Sequence, residues 1–170
     1  MLIREARTTD VFAMVDILAK AQARSRYADV VKVDEPFARK MLAAVIQRNG
    51  GTNEGATFVQ VAERGDDILA FIVGSLSRVY QIGERDKLAA ADNYLIGTED
   101  CPPRVLTRLL DGYLHWADSN PKVVEVFVSH NDTMPGSEAF GPWYERNGFA
   151  PSVSTYRRAS PVDLQEAQAA

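Results

Sequence analysis

Apolar residues along the chain recur with two periods, one typical of strands and the other typical of helices. Six segments are rich in β-branched or alternating apolar residues and predict strands: Leu2–Ala6, Ala56–Ala62, Asp67–Tyr80, Tyr94–Thr98, Val123–Val128 and Ser152–Arg157. Four further segments carry apolar residues at helical spacing, and they begin near Asp10, Glu35, Pro103 and Phe140. The pattern therefore predicts a fold that mixes strands and helices.

Residues suited to helix ends support the first two helices. A side chain in Thr8–Asp10 can cap the first helix, and a polar link, Ser25–Asp34, follows it. The second helix is expected to begin at Asp34–Pro36, where a carboxylate can cap and proline suits the first turn. Asn49–Gly51 is expected to end it. The second and third strands are then joined by a hairpin turn at Glu63–Asp66.

The third helix has the most regular apolar stripe. Pro102 and Pro103 suit its first turn, and Ser119–Pro121 ends it. The stripe consists of Leu106, Leu109, Leu110, Tyr113 and Ala117. This helix lies within the roughly 24 residues between the fourth and fifth strands, a connection long enough for parallel pairing. We therefore predict that these two strands are parallel neighbours.

The fourth and fifth predicted strands differ in how clearly the sequence defines them. A charged connection, Gly83–Lys87, precedes the fourth, and the pattern does not fix where in Leu88–Asn93 this strand begins. The fifth strand, Val123–Val128, is a β-branched run interrupted by Glu125, which is typical of a strand covered on both faces.

Length and composition are those of one globular domain. The 170 residues include 46% hydrophobic and 25% charged residues, enough for a core that needs no crosslinks. We expect the domain to span residues 1–160 and a tail with weak helical propensity to occupy 161–170.

Charge and cysteine content favour a cytoplasmic protein without nucleic-acid or membrane partners. The single cysteine, Cys101, excludes an internal disulfide and favours a reducing compartment. The N-terminus is charged from Arg4 onwards, unlike a signal peptide, and the longest apolar run, Ile68–Val73, is too short to cross a bilayer. A net charge of −4 with scattered basic residues disfavours general nucleic-acid binding. The expected compartment is the cytoplasm, or a host cytoplasm if the protein is viral.

The segment Phe140–Phe149 is the most informative for function. It predicts a short aromatic helix that Gly148 stops in the left-handed conformation, with Phe149 folded back onto the last turn. Tyr144 precedes this stop by one turn. The segment resembles the aromatic-Tyr-Glu-Lys/Arg-x-Gly-Phe signature of the GNAT superfamily of acyl-CoA N-acyltransferases. The order of strands and helices from Ile3 to about Ala159 resembles that fold as well.

The resemblance implies a fold, an activity and a co-substrate. The fold is an α+β one, a mostly antiparallel sheet of six to seven strands with about four helices and a parallel fourth and fifth strand. The activity is N-acetyl or N-acyl transfer from acetyl-CoA to a small-molecule or peptide amine, with Tyr144 as the acid that protonates the departing thiolate. Ile96 and Thr98 of the fourth strand would contact the pantetheine arm. The resemblance leaves the oligomeric state open, a homodimer being one alternative.

The family's pyrophosphate loop, Gln/Arg-x-x-Gly-x-Gly/Ala, is degenerate in this chain. Its places fall on Cys101, Arg104 and Leu106, so both glycines are missing, and two prolines remove N–H donors that would face the phosphates. Glu99 and Asp100 add negative charge, and Asp100 could itself cap the third helix. Arg104 and Arg108, one turn apart, could bind phosphate through their side chains, or could be ordinary solvated arginines.

Glu99 and His130 are the candidate bases, because the ends of the fourth and fifth strands flank the cleft in this fold. Each has an ordinary alternative role, as a surface carboxylate or a loop histidine. Cys101 is a poor candidate nucleophile beside an acidic neighbour. We expect no metal site, because two isolated histidines and one cysteine do not form a ligand cluster.

Two hypotheses from different classes follow. The first is an acyl-CoA-dependent N-acyltransferase, which the Tyr144 helix favours, with a substrate pocket shaped by Ser25–Val33 and the His130 loop. The second is a GNAT-like binding or structural protein, for example a phage accessory protein, that no longer binds acetyl-CoA. The missing glycines favour the second.

Overall fold

The computed structural model describes residues 1–79, 84–130 and 137–152. The chain divides into two compact units, Met1–Glu138 and Ala139–Ala170. The predicted strand at 152–157, apart from Ser152, and the predicted tail at 161–170 lie outside the described residues.

The first unit contains all five strands of the described residues and three of the four α-helices. The strands are β1 (Leu2–Glu5), β2 (Thr57–Arg64), β3 (Asp67–Arg78), β4 (Leu88–Gly97) and β5 (Val123–Phe127). The helices are α1 (Val11–Gln22), α2 (Glu35–Gln47) and α3 (Pro103–Asp118). The second unit contributes α4 (Phe140–Arg146).

The strands form one mixed sheet in the order β1-β2-β3-β4-β5. The first four are antiparallel neighbours, and β4 and β5 are parallel. The predicted parallel neighbours, with α3 as their crossover, are therefore confirmed, but β5 pairs with Leu88–Ala91 and not with the predicted Tyr94–Thr98. The expected six to seven strands are not found, since the sheet of the described residues has five.

Strand β4 is longer than predicted, because it begins at Leu88 rather than Tyr94 and ends at Gly97. Its first residues, Leu88–Ala90, are buried and pair with the end of β3. Alanine has low intrinsic strand propensity, so pairing between two neighbouring strands decides this segment and its own sequence does not.

Helices α1 and α2 cover one face of the sheet. Met14 and Leu42 are fully buried there with Val59, Phe71 and Val73 of the central strands. The start of α2 is as predicted, because the Asp34 carboxylate accepts a hydrogen bond from the Phe37 amide at 3.0 Å.

Helix α3 covers the opposite face. The ring of Tyr113 lies directly on Gly74 of β3, where an added Cβ would lie 2.5 Å from Tyr113 Cε2. Phe58 of β2 stacks on Trp116 at 5.4 Å between ring centroids. The buried stripe is rotated slightly from the predicted one, because Val105 is fully buried and Leu106 only partly.

The segment before α1 differs from the predicted simple cap. Thr8–Asp10 forms a 3-10 turn, and the buried Asp10 carboxylate accepts hydrogen bonds from both terminal nitrogens of Arg4 at 2.7 and 2.9 Å. It also accepts the Arg7 amide at 2.7 Å. Asp10 therefore ties β1 to the entry of α1.

The prediction that the fifth strand is covered on both faces is wrong. No residue of β5 is fully buried, and Val124 is 55% exposed. The strand lies at the edge of the described sheet, so β-branched residues here reflect strand propensity more than burial.

Candidate active site

Strands β4 and β5 diverge about halfway along β4. The parallel pairing ends with Ala91 and Phe127, while Asp92–Gly97 continue beside β3 alone among the described strands. Asn93 has no partner in β3, because Val73 pairs with Tyr94 and Gly74 pairs with Asp92. This bulge puts Asp92 and Tyr94 on opposite faces of the sheet. The half of β4 after Ala91 therefore borders an open cleft.

A polar cluster closes the base of this cleft. Asp92 Oδ1 accepts hydrogen bonds from the Ser129 amide at 2.9 Å and the Ser129 hydroxyl at 3.2 Å. Burial raises the pKa of Asp92, and the two bonds from Ser129 only partly offset that rise. The Tyr113 hydroxyl donates to the Phe127 carbonyl at 3.2 Å, and burial followed by the Asp92 charge raises the pKa of Tyr113. Where β4 and β5 diverge, hydrogen bonds that involve side chains therefore replace the backbone hydrogen bonds between the two strands.

Sequence reasoning missed this cluster. Its only signal was one carboxylate, Asp92, directly after the apolar and small-residue run from Leu88 to Ala91. A carboxylate in such a run has to be hydrogen bonded if it is buried, but the sequence does not reveal which partner binds it.

The amino end of α3 has few free amides. Pro102 and Pro103 have no N–H, the Cys101 amide donates to the Thr98 carbonyl at 3.1 Å, and the Val105 amide donates to the Pro102 carbonyl at 2.8 Å. Arg104 is left as the one first-turn amide without a backbone acceptor among the described residues. An anion bound here has one backbone donor instead of several.

Asp100 does not cap α3, contrary to the alternative that the sequence left open. The residue at the N-cap is Pro102, which makes no side-chain cap. Asp100 instead accepts the Thr98 hydroxyl at 2.7 Å and pairs with Arg64 at 2.8 Å. The Thr98 hydrogen bond, followed by that of Arg64, lowers the pKa of Asp100. An arginine at the end of β2 draws the carboxylate away from the helix.

Glu99 follows the end of β4, as predicted, and its carboxylate pairs with Arg24 at 3.1 Å. Its side chain is 76% exposed. His130 is exposed and follows the end of β5. Both candidate bases therefore lie where strands of the parallel pair end, and Glu99 already has a cationic partner.

The remaining predicted cofactor residues differ in environment. Cys101 packs over Gly97, where an added Cβ would lie 3.0 Å from Cys101 Cβ, and burial followed by the Asp100 charge raises the pKa of its thiol. This thiol stays protonated near neutral pH and is a poor nucleophile. Arg104 and Arg108 are exposed, and neither forms an ion pair with a described residue.

Tyr144 belongs to the second unit, where the predicted helix stop is confirmed. Gly148 has a φ of +87°, its amide donates to the Glu145 carbonyl at 3.1 Å, and the Phe149 amide donates to the Tyr144 carbonyl at 3.2 Å. This pair of bonds is a Schellman motif. Phe149 meets Tyr144 edge-on at 5.9 Å between centroids. Tyr144 is 6% exposed, and its ring packs against those of Phe140, Trp143 and Phe149.

Two adjoining cavities lie under α2 in the first unit. One, of about 310 Å³, is bounded by α1, α2 and β4, and we call it the α1 cavity. The other, of about 520 Å³, reaches Arg48 at the end of α2, and we call it the Arg48 cavity. Phe37, Met41 and Tyr94 line both cavities. Ile96, expected to contact pantetheine, lines the α1 cavity.

Within the described parts of the chain, no group of three or more histidine, cysteine or carboxylate side chains is arranged to bind a metal. A helix long and apolar enough to span a membrane is likewise absent from residues 1–79, 84–130 and 137–152.

Comparison with known proteins gives structural matches alone. No protein-family model and no curated protein sequence matches the chain. Among solved structures, a possible acetyltransferase from Clostridium difficile 630 has a TM-score of 0.64 at 14% identity, covering 94% of this chain and 97% of that chain. A putative acetyltransferase from Agrobacterium tumefaciens strain C58 has a TM-score of 0.67 at 13% identity, covering 94% of this chain and 100% of that one.

A third similar structure is that of an aminoglycoside antibiotic 6'-N-acetyltransferase from Acinetobacter haemolyticus. Its TM-score is 0.65 at 11% identity, and the match covers 94% of this chain and 98% of that one. Likeness at such low identity concerns the fold and leaves activity and substrate to be argued from the residues. The chain therefore has the fold of the GNAT family of acetyltransferases.

Proposed function

We propose that the protein is a cytoplasmic N-acyltransferase that moves an acetyl or other acyl group from coenzyme A to an amine. The observation that carries the proposal is the divergence of β4 from β5 beside two cavities. From Asp92 to Gly97, β4 has no described partner on the side away from β3. Its backbone N–H and C=O groups there are available to an extended ligand that binds as a strand would. The cavities on the α2 side offer room for an acceptor at the same strand.

The residues present fit acetyl-CoA in part. Ile96 lies in the open half of β4, where the pantetheine arm would lie, and Thr98 follows its end, although the Thr98 hydroxyl is hydrogen bonded to Asp100. Cys101 and Leu106 would contribute apolar contact at the start of α3. Arg104 and Arg108 are exposed and have no ion-pair partner among the described residues, so their guanidinium groups are available to the phosphates. Side chains would thus take the role that backbone amides have in the family pattern.

When bound, acetyl-CoA would supply a thioester, whose C–S bond breaks as the acceptor nitrogen forms a C–N bond with the acyl carbon. Glu99 or His130, directly or through water, would take the proton that the amine loses. Tyr144 would give a proton to the departing thiolate, and its packing among aromatic rings suits a positioned acid. The products are an amide and the free thiol of coenzyme A.

Two measurements on the full chain test this function. A ligand present at 100 times its dissociation constant should add about 2.7 kcal/mol to the folded state, so acetyl-CoA should raise the melting temperature. Amine-dependent release of free thiol from acetyl-CoA should follow. If Arg104→Ala loses either effect and Arg85→Ala, an exposed control outside the site, keeps it, that effect depends on the start of α3.

The second candidate is a GNAT-like protein without acetyl-CoA. The scarcity of free amides at the start of α3, with two carboxylates beside it, favours this alternative. It predicts that acetyl-CoA neither stabilises the protein nor is consumed. Failure of both measurements would therefore favour a binding or structural role.

A further inference from the structure

The two cavities under α2 differ in the chemistry of their walls. In the α1 cavity the polar side chains are directed at their own backbone. The Gln22 amide donates to the Tyr27 and Val31 carbonyls at 3.2 and 2.8 Å. The Ser25 hydroxyl accepts the Tyr27 amide at 3.1 Å, and Asp34 caps α2. Most of the remaining surface is carbon, from residues such as Leu18 and Val33. This cavity therefore suits an apolar body.

The Arg48 cavity combines apolar walls with a cation and several polar side chains. The Arg48 guanidinium makes no ion pair within the described chain, and its Nε lies 3.4 Å from the Ala44 carbonyl, a long hydrogen bond. Ser75 and Asn93 line the same cavity, and their side chains make no hydrogen bond to a described residue. Its described lining residues include no carboxylate. A cation with two uncommitted polar groups suits a carboxylate ligand.

Tyr94 and the bulge link these two environments to the open half of β4. Tyr94 lines both cavities, and Asn93, the bulged residue, lines the Arg48 cavity at the point where β4 has left β5. A group bound beside Asn93 and Tyr94 is therefore close to the strand along which the acyl donor would lie. The arrangement has an apolar compartment beside one suited to a carboxylate, and Tyr94 of β4 lines both.

We propose that the acceptor is an α-amino acid with an aromatic or long apolar side chain. Its carboxylate binds Arg48, its side chain occupies the α1 cavity and its amine lies beside Asn93 and Tyr94. This identification rests on the proposed acyl transfer and specifies its substrate. The bonds are those of that transfer: the α-nitrogen gains the acyl group and loses a proton, and coenzyme A leaves as its thiol.

The test compares acceptors that differ by one group. L-Phenylalanine should be acylated with a KM at least about tenfold lower than phenethylamine, which lacks the carboxylate. Arg48→Gln should raise the KM for L-phenylalanine by a similar factor and leave phenethylamine unchanged, while Arg48→Lys should recover part of the loss. Arg85→Gln, outside both cavities, is the matched control.

A second variant tests the apolar compartment. Val33→Trp narrows the α1 cavity and should impair acylation of L-phenylalanine while sparing L-alanine, so activity on L-alanine shows that this variant is folded. Equal use of L-phenylalanine and phenethylamine, with no effect of Arg48→Gln, would overturn the amino-acid assignment and leave acyl transfer standing. Absence of thiol release with every amine would refute the acyl transfer itself. In that case, calorimetry with L-phenylalanine alone decides the ligand class: Arg48-dependent binding supports it and no binding overturns it.

Discussion

Replacing Pro103 by alanine is expected to tighten acetyl-CoA binding, the reverse of what most changes at a binding site do. Pro103 is the first residue of α3, and its nitrogen carries no hydrogen. Alanine restores one N–H at a helix position that has no intrahelical acceptor, where it can meet a phosphate. A hydrogen bond to a charged group contributes about 1.5–3 kcal/mol, so the dissociation constant should fall by roughly tenfold to 150-fold.

Titration calorimetry at low ionic strength measures this effect directly. Pro36→Ala is the matched control, because Pro36 lies in the first turn of α2 and should not change the affinity. Thermal melts of both variants establish that the fold is intact. Unchanged or weaker binding by a folded Pro103→Ala variant would refute the argument that missing amides limit affinity.

The salt dependence of the same titration separates amides from arginine side chains. Raising ionic strength from about 0.05 to 0.5 M shortens the Debye length about threefold, so exposed Arg104 and Arg108 should lose much of their attraction. Binding by the wild type should weaken clearly, and Arg104→Ala should show a smaller salt effect. Asp100→Asn should tighten binding, because it removes a negative charge and releases Arg64. Tight binding insensitive to salt and to Arg104→Ala would place the phosphates elsewhere.

Three further predictions concern single side chains. Tyr144→Phe keeps the ring packing and should lower acyl transfer about 10²- to 10⁴-fold without unfolding the protein; unchanged turnover in a chemistry-limited assay would remove Tyr144 from the mechanism. Gly74→Ala drives a methyl group to 2.5 Å from the Tyr113 ring and should cost about 1–3 kcal/mol in urea denaturation; unchanged stability would show that the ring moves aside without cost. Burial raises the pKa of Asp10, but hydrogen bonds from Arg4 and a backbone amide outweigh it and lower the pKa below 3.8. The stability advantage of wild type over Asp10→Asn should therefore be complete above that pH and shrink as pH falls through the lowered pKa in denaturant titrations; an advantage independent of pH would contradict this.

The sequence was most informative where one local rule decides the structure. Gly148 and Phe149 predict their helix stop because a left-handed residue followed by an apolar one satisfies the last carbonyls whatever surrounds the helix. Asp34 predicts its cap for the same reason. The parallel pairing of β4 and β5 was predictable from the length of the connection between them. A short turn joins antiparallel strands, whereas parallel strands need a long crossover.

Tertiary partners were not predictable in this way. Arg24 and Arg64 come from α1's end and from β2, far from Glu99 and Asp100 in sequence, and nothing local indicates that they pair. Asp100 pairs with Arg64 and does not form the cap that the sequence left open as an alternative. The alanines near the start of β4 were not predictable as strand residues either. Alanine has low strand propensity, and these residues are in a strand because they pair with β3.

The bulge at Asn93 explains why the candidate site could be only partly anticipated. A regular strand would put Asp92 and Tyr94 on the same face, because side chains two apart point the same way. One unpaired residue reverses that relation, so Asp92 binds Ser129 at the base of the cleft while Tyr94 faces the cavities. Asparagine is compatible with either arrangement, so no residue marks the change of register. The bulge at Asn93 therefore interrupts the regular alternation of side chains along β4. As a result, neighbouring residues of one strand border the cleft on one face and the proposed acceptor site on the other.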